Sequence, residues 1–104
     1  MPPETIVRSR QNPIYKQIRS LLRRDRRHQE RAFLVEGPRF IADAQRFGAV
    51  PDLLVLSESF ADTLDIAPET LRAARVFDDE LFASISDTVT SQGMIGVFPF
   101  PEFR

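Results

Sequence analysis

The sequence predicts an α/β fold, a three-layer α/β/α sandwich with a central, mostly parallel sheet, formed by one domain of 104 residues. Short apolar runs, which are typical of buried strands, alternate along the chain with segments of helical periodicity. Such alternation favours a parallel sheet with helices on both faces. The chain is also long enough to bury a hydrophobic core, so we expect it to fold alone.

The first predicted helix is basic and covers about residues 12–28. Asn12 is suited to cap it, and Pro13 takes the first helical position, where a missing N–H costs nothing. A buried face is predicted from four apolar residues with helical spacing, Ile14, Ile18, Leu21 and Leu22. Four cations with spacings of three, four and four predict a separate exposed stripe that can follow a phosphate backbone: Lys16, Arg19, Arg23 and Arg27.

The α/β core is predicted over about residues 32–99, with strands at residues 32–35, 53–56, 75–77 and 94–98. After the first of these strands, Gly37 and Pro38 open a helix that Gly48 is well placed to end. The apolar face of this helix is predicted from four residues, Phe40, Ile41, Ala44 and Phe47.

Three more helices are predicted in the second half of the core. Ser57 and Ser59 are candidate caps for a short helix through Leu64. Another helix is expected over residues 68–74. Asp78 is suited to cap a last one, which carries three apolar residues, Leu81, Phe82 and Ile85.

Charge is divided unevenly along the chain. Residues 1–31 contain nine Lys and Arg against three Asp and Glu, a net +6, whereas the remainder has five against twelve, a net −7. The near-neutral total of −1 therefore conceals a basic end. An asymmetry of this kind indicates a polyanionic partner for that end.

The composition excludes several classes of protein and site. No apolar run approaches the roughly 20 residues that span a membrane, and the N-terminus lacks the basic-then-apolar order of a signal peptide. Zero cysteines exclude disulfides and thiolate metal sites, and the solitary His28 gives no metal site. We therefore expect a cytoplasmic protein without a metal in this chain.

Independent catalysis is not expected either. The chain has no Cys, one His, no Gly-rich phosphate loop and no paired acidic motif. The residues that nucleophilic and metal-dependent mechanisms require are therefore missing from it. Glu36 is a single carboxylate at a strand-to-helix junction, where it can accept backbone N–H groups or pair with an Arg. We interpret it as a structural residue rather than an acid or base.

Three separated motifs resemble one family. Ser9-Arg10-Gln11-Asn12-Pro13 precedes the basic helix, FLVEGPRFIADA follows it at residues 33–44, and SDTVTSQG occurs at residues 86–93. In this order they resemble the SpoU-type RNA 2'-O-ribose methyltransferases, of the TrmH-like group within the SPOUT superfamily. The resemblance covers residues 9 to about 99 and is confined to the family's N-terminal substrate-binding domain.

This resemblance implies a fold and a division of labour. The domain is expected to be similar to the kink-turn-binding ribosomal proteins and to present RNA, ribosomal more than transfer RNA, to a C-terminal knotted domain that uses S-adenosylmethionine. That domain is absent here, so no catalytic or cofactor-binding residue is assigned to this chain, which alone is not expected to be catalytic. The full-length enzyme is expected to form a homodimer through the same absent domain.

The candidate RNA-binding residues combine the cations with polar groups of the first and last motifs. A phosphate backbone is held by Arg and Lys, whereas amides and hydroxyls bond to sugars and base edges. The candidates are Arg8, Arg10, Gln11, Asn12, Lys16, Arg19, Arg23, Arg24, Arg27, Arg31, Arg39, Thr88, Thr90 and Gln92.

Several alternatives stay open. The turn at residues 9–12 and the segment 86–93 are also suited to satisfying their own backbone groups, and Arg39 has the spacing to pair with Asp43. For the whole chain, the alternatives are a stand-alone RNA-binding or ribosome-associated protein without catalysis, and a domain whose basic helix meets an acidic protein surface.

Overall fold

The computed structural model describes residues 6–63, 74–86 and 93–101, and within them five strands and five helices. The strands are β1 (Ile6–Val7), β2 (Ala32–Glu36), β3 (Leu53–Ser57), β4 (Arg75–Phe77) and β5 (Met94–Pro99). The helices are α1 (Pro13–Ser20), α2 (Arg24–Glu30), α3 (Pro38–Arg46), α4 (Glu58–Thr63) and α5 (Asp79–Ala83). The helix predicted over residues 68–74 lies almost entirely outside the described residues.

The strands form one sheet in the order β1-β4-β3-β5-β2. Strands β1, β4 and β3 are parallel, whereas β5 runs antiparallel to both of its neighbours, β3 and β2. Four of the five described strands therefore point the same way. The predicted α/β fold with a mostly parallel sheet is confirmed, and β5 is its antiparallel member.

Helices cover both faces of the sheet, because successive side chains of a strand point to opposite sides. In β3, Val55 belongs to a core cluster that contains Ile18 of α1 and Phe82 of α5. The next residue, Leu56, belongs to a second cluster, against which Phe60 of α4 packs. The predicted three-layer arrangement follows from these two apolar layers.

Three of the described helices, α1, α4 and α5, begin where the sequence predicts caps. The Asn12 side chain accepts hydrogen bonds from the backbone N–H groups of Ile14 (2.8 Å) and Tyr15 (3.4 Å). Asp78 caps α5 by accepting from the Leu81 N–H at 2.7 Å. In α4 the cap is Ser57, whose hydroxyl accepts from the Phe60 N–H at 3.1 Å.

Helix α3 ends at the predicted glycine. The Gly48 N–H donates to the Gln45 carbonyl, and the Ala49 N–H donates to the Ala44 carbonyl, both at 3.0 Å. This pair of bonds is the Schellman motif, which satisfies carbonyls that the helix itself leaves unpaired.

The prediction of a single basic helix over residues 12–28 is wrong, because α1 and α2 are separate. The N–H groups of Leu22 and Arg23 bond three residues back, to Arg19 (3.3 Å) and Ser20 (3.1 Å), and Arg23 is extended. Two interactions favour the break. Leu21 is drawn into the core, where it is 1% exposed, and the Ser20 hydroxyl donates to the Gln17 carbonyl at 2.6 Å, an alternative to continued helical bonding.

The predicted apolar face of α3 is also only partly buried. Ile41 is 2% exposed, but Phe40 is 63% and Phe47 is 92% exposed. Phe40 and Phe47 are seven residues apart and lie on one side, whereas Ile41 is rotated by about 100° from Phe40. A helix that contacts β2 and β5 along the line of Ile41 leaves both phenylalanines outside.

None of the described helices is both long enough and apolar enough to cross a membrane.

Candidate nucleic-acid interface

An open groove of about 580 Å³ runs along α1 and the start of α2. We call it the basic groove and define it by its lining residues, Arg10, Tyr15, Lys16, Arg19, Ser20, Leu22, Arg23 and Arg26. It is open to solvent rather than enclosed.

The basic groove is fixed to the hydrophobic core through α1. The buried side of this helix places Tyr15 (3% exposed), Ile18 (0%) and Leu21 (1%) in one core cluster. Lys16 and Arg19 project from the exposed side of the same helix. Two cations are therefore held on a support whose position the core determines.

Among the described residues, five cations and no carboxylate line the basic groove. Within the described residues, the side chains of Lys16 and Arg19 form no hydrogen bond or ion pair. Arg23 pairs with Asp25 at 2.9 Å, and Arg26 pairs with Glu30 at 3.1 Å. Exposed ion pairs of this kind contribute about 0–1 kcal/mol each, so a phosphate can displace their carboxylates at little cost.

Arg10 reaches the groove from the turn before α1. Its Nη1 donates to the Tyr15 hydroxyl at 3.0 Å, and this hydroxyl lies 2.7 Å from the hydroxyl of Ser84 at the end of α5. The guanidinium carbon is 5.8 Å from the centre of the Tyr15 ring. Because the guanidinium bonds to the hydroxyl end of the ring, we regard the hydrogen bond as the main contact.

The turn at residues 9–12 satisfies several of its own backbone groups. The Ser9 hydroxyl accepts from the Gln11 N–H, and the Ser9 carbonyl accepts from the Asn12 N–H, both at 3.1 Å. Asn12 uses its side-chain oxygen as the cap of α1. Among the described residues, neither the exposed Gln11 side chain nor the amide nitrogen of Asn12 has a hydrogen-bond partner, so both can bond to another molecule.

The basic groove brings together four of the predicted cations, Arg10, Lys16, Arg19 and Arg23. Five others do not line it: Arg8, Arg24, Arg27, Arg31 and Arg39. Thr88, Thr90 and Gln92 lie outside the described residues.

Two of the cations outside the groove have informative surroundings. Arg8 lies 3.6 Å from Glu58 and 3.9 Å from Asp78, on the side of α4 and α5. Arg39 does not pair with Asp43, which instead pairs with Arg46 at 3.0 Å. Arg39 is an exposed cation near the start of α3, and a role in RNA binding stays a prediction for it.

Sequence reasoning missed four groove residues, Tyr15, Ser20, Leu22 and Arg26. Arg26 replaces the predicted Arg27, because the break between α1 and α2 interrupts the rotation of 100° per residue on which the predicted stripe depends. Tyr15 gave no signal as a groove residue, since its ring has the spacing of a core position. The bond from its hydroxyl to Ser84 spans 69 positions of sequence.

Glu36 joins two parts of the fold through a hydroxyl group, a partner that its structural interpretation did not name. The Ser86 hydroxyl donates to Glu36 Oε2 at 2.6 Å, and the neighbouring Gly37 N–H donates to the Met94 carbonyl at 2.9 Å. Within the described part of the chain, no three His, Asp or Glu residues are grouped to hold a metal ion. His28 instead packs edge-on against Phe100, with ring centres 5.7 Å apart.

Known proteins share this sequence pattern and fold. A family model described as the MRM3-like substrate binding domain matches residues 12–96. A crystal structure of an RNA 2'-O ribose methyltransferase has a TM-score of 0.74 and 24% identity, over 96% of this chain and 41% of that chain. A search of curated proteins finds no match.

Two further solved structures are bacterial enzymes. An rRNA methyltransferase from Sinorhizobium meliloti, solved also with AdoMet bound, has a TM-score of 0.73 and 25% identity, over 93% of this chain and 37% of that chain. The SpoU methyltransferase AviRb from Streptomyces viridochromogenes, in complex with AdoMet, has a TM-score of 0.65 and 22% identity, over 88% and 37%. The chain thus spans 37–41% of the length of these three proteins.

Proposed function

Because the chain belongs to the MRM3-like substrate-binding domain family, we propose that it binds structured RNA and positions it for 2'-O-ribose methylation by an S-adenosylmethionine-dependent domain of the same protein. The family assignment agrees with the motifs at residues 9–13, 33–44 and 86–93, which indicate the substrate-binding domain of SpoU-type RNA methyltransferases. The observation that carries the proposal is the basic groove, which gathers five cations, two of them on a helix that is fixed to the core.

Phosphate recognition accounts for the composition of the groove. Lys16 and Arg19 are free of carboxylate partners in the described part of the chain, so they offer their charge to a polyanion without a competing contact. Arg23 and Arg26 exchange an exposed carboxylate for a phosphate. Contacts of this type fix the position and orientation of a nucleic acid without reading its sequence, which is the task of a domain that presents RNA to another.

The methyl donor does not suit the basic groove. S-adenosylmethionine carries a positively charged sulfonium, and a groove lined by five cations, two of them paired with carboxylates, offers this group no net attraction. We therefore place the cofactor in the other domain of the parent protein, where it supplies the methyl group. The residues of this chain only hold the RNA, and no proton or methyl transfer is assigned to them.

We propose ribosomal RNA as the substrate and the cytoplasm as the location. The similar enzyme from Sinorhizobium meliloti is an rRNA methyltransferase, which supports ribosomal over transfer RNA. A homodimer that forms through the other domain completes the proposal.

The salt dependence of RNA binding tests the proposed function. If the five groove cations contact phosphates, log affinity falls against log salt with a slope of about −3.5 to −4.5, at 0.7–0.9 per contact. The measurement is a fluorescence anisotropy titration of a labelled ribosomal RNA hairpin at 50–300 mM salt, with a transfer RNA transcript as the competing substrate. A slope near zero, or equal affinity for an uncharged polymer, contradicts the proposal.

Removing the two unpaired cations localises the contact. The double substitution Lys16→Ala and Arg19→Ala is expected to reduce the salt slope by about 1.4–1.8, which is 0.7–0.9 for each lost phosphate contact. Arg46→Ala combined with Arg75→Ala is a matched control, because it also removes two exposed cations and neither lines the groove. An equal change in the control and the double variant would show that charge, rather than the groove, determines binding.

A further inference from the structure

We propose that Tyr15 and Ser84 position the Arg10 guanidinium in the basic groove for a phosphate of the bound RNA. This inference rests on the proposed function and deepens it by assigning a residue that organises the groove without carrying charge. It depends on the geometry of one chain of hydrogen bonds, which connects the groove to α5.

The donors and acceptors of this chain have one consistent order. The Ser84 hydroxyl donates its proton to the Leu81 carbonyl at 2.6 Å, so at 2.7 Å from Tyr15 it must act as the acceptor. The Tyr15 hydroxyl therefore donates to Ser84, and its lone pair accepts from Arg10, which can only donate. Both hydroxyl protons are therefore assigned to an acceptor, and the Tyr15 oxygen accepts the hydrogen bond from Arg10.

Tyr15 is a rigid anchor because its ring belongs to the core. The residue is 3% exposed, and its ring packs against that of Phe77, with centres 6.0 Å apart. The hydroxyl is thus fixed from one side by ring packing and from the other by Ser84. Arg10, which is exposed, is tied to this fixed point through one of its five N–H donors.

The anchor of Arg10 includes no carboxylate, in contrast to the anchors of Arg23 and Arg26. Arg23 is held by Asp25 and Arg26 by Glu30, and a phosphate must displace these carboxylates. Tyr15 restricts Arg10 without neutralising it, so the remaining N–H donors stay available for a phosphate, in the paired geometry that arginine favours. An arginine that is ordered in advance loses less entropy when RNA binds.

A double-mutant cycle tests the inference. Tyr15→Phe keeps the ring and removes the hydroxyl, and it is expected to weaken binding of the ribosomal RNA hairpin about two- to tenfold, the range that ordering of one long side chain gives. In an Arg10→Ala background, Tyr15→Phe is expected to have no further effect on affinity. A merely structural role of Tyr15 would weaken binding equally in both backgrounds, and that result overturns the inference.

Two additional measurements keep the test decisive. Ser84→Ala leaves the Tyr15 ring intact and is also expected to weaken RNA binding. This variant replaces Tyr15→Phe as the test if Tyr15→Phe lowers the folded population. Tyr15 is the only tyrosine, so ring-labelled tyrosine gives one NMR signal. RNA is expected to shift this signal in the wild type and not in Arg10→Ala, and a shift that persists in Arg10→Ala contradicts the inference.

Failure of the inference and failure of the proposed function are distinguishable. If wild-type protein binds RNA with the expected salt slope but Tyr15→Phe binds equally well, the positioning role is wrong and the proposed function is unaffected. If the salt slope of the wild-type protein is near zero, the proposed function itself is wrong, whatever the Tyr15→Phe variant shows.

Discussion

At the residue scale, Gly48 and Gly93 both have positive φ angles, but their surroundings differ. Gly48 ends α3 with φ of +91°, and a Cβ atom there would meet nothing within 4 Å. Gly93 begins the approach to β5 with φ of +79°, and a Cβ atom there would lie 2.6 Å from the Phe60 Cβ atom. The Gly93 carbonyl also accepts from the Ser57 N–H at 3.0 Å, so the backbone cannot move aside freely.

Substituting each glycine with alanine separates backbone strain from steric overlap. Gly48→Ala is expected to lower the free energy of unfolding by about 1–2 kcal/mol, the cost of the left-handed conformation for an L-residue. Gly93→Ala adds overpacking against Phe60, for a total of about 2–5 kcal/mol. Urea denaturation of both variants measures the two losses, and equal losses would show that Phe60 yields without cost.

Residues with a local signal were predictable, and those with distant partners were not. Asn12, Ser57 and Asp78 cap helices that begin within three residues of them, so the sequence around each position contains the information. The Tyr15 hydroxyl meets Ser84 only because the sheet brings α1 and α5 together on one face. No local pattern indicates that contact.

At the scale of elements, the separation of α1 from α2 has the largest consequence for the site. A continuous helix would align Lys16, Arg19, Arg23 and Arg27, whereas the break exchanges Arg27 for Arg26. The break results from the burial of Leu21 in the core and from the hydrogen bond of the Ser20 hydroxyl. Both depend on tertiary and side-chain geometry, about which helical periodicity gives no information. The exposed phenylalanines of α3 have the same origin, since spacing defines a helix face but not which side meets the sheet.

Helices α4 and α5 are joined through Asp79. Its carboxylate accepts from both the hydroxyl and the backbone N–H of Ser59 in the first turn of α4. These two bonds, the hydroxyl first, hold the pKa of Asp79 below the 3.8 usual for Asp. A carboxylate whose pKa is lowered by folding stabilises the protein at pH values above its pKa in the unfolded state. This contribution is lost as the pH falls through its pKa in the folded state.

Ser59→Ala is expected to raise the pKa of Asp79 toward 3.8, because only the backbone bond remains. The free energy of unfolding should then differ between wild type and variant at neutral pH, and the difference should shrink as pH falls below about 3.8. Carboxyl ¹³C NMR titration measures the pKa. Ser20→Ala is the control, since the Ser20 hydroxyl bonds within α1; an unchanged Asp79 titration in Ser59→Ala contradicts the assignment.

On the scale of the whole molecule, the fold brings cations of the basic N-terminal segment, residues 1–31, together in one groove. The net +6 of residues 1–31 is carried largely by α1, α2 and the turn before them, and five of its cations line one groove. The sequence predicted the class of fold, the family and the basic surface, because these depend on periodicity, motifs and composition. It did not predict the shape of the groove, which depends on how α1 and α2 meet the core.

The central claim is that RNA occupies the basic groove, and ¹H–¹⁵N NMR mapping tests it most directly. On addition of the ribosomal RNA hairpin, the account predicts that the largest amide shift changes occur between Arg10 and Arg26, with little change in α3. Largest changes around Phe40 and Phe47, with the groove unaffected, would contradict it.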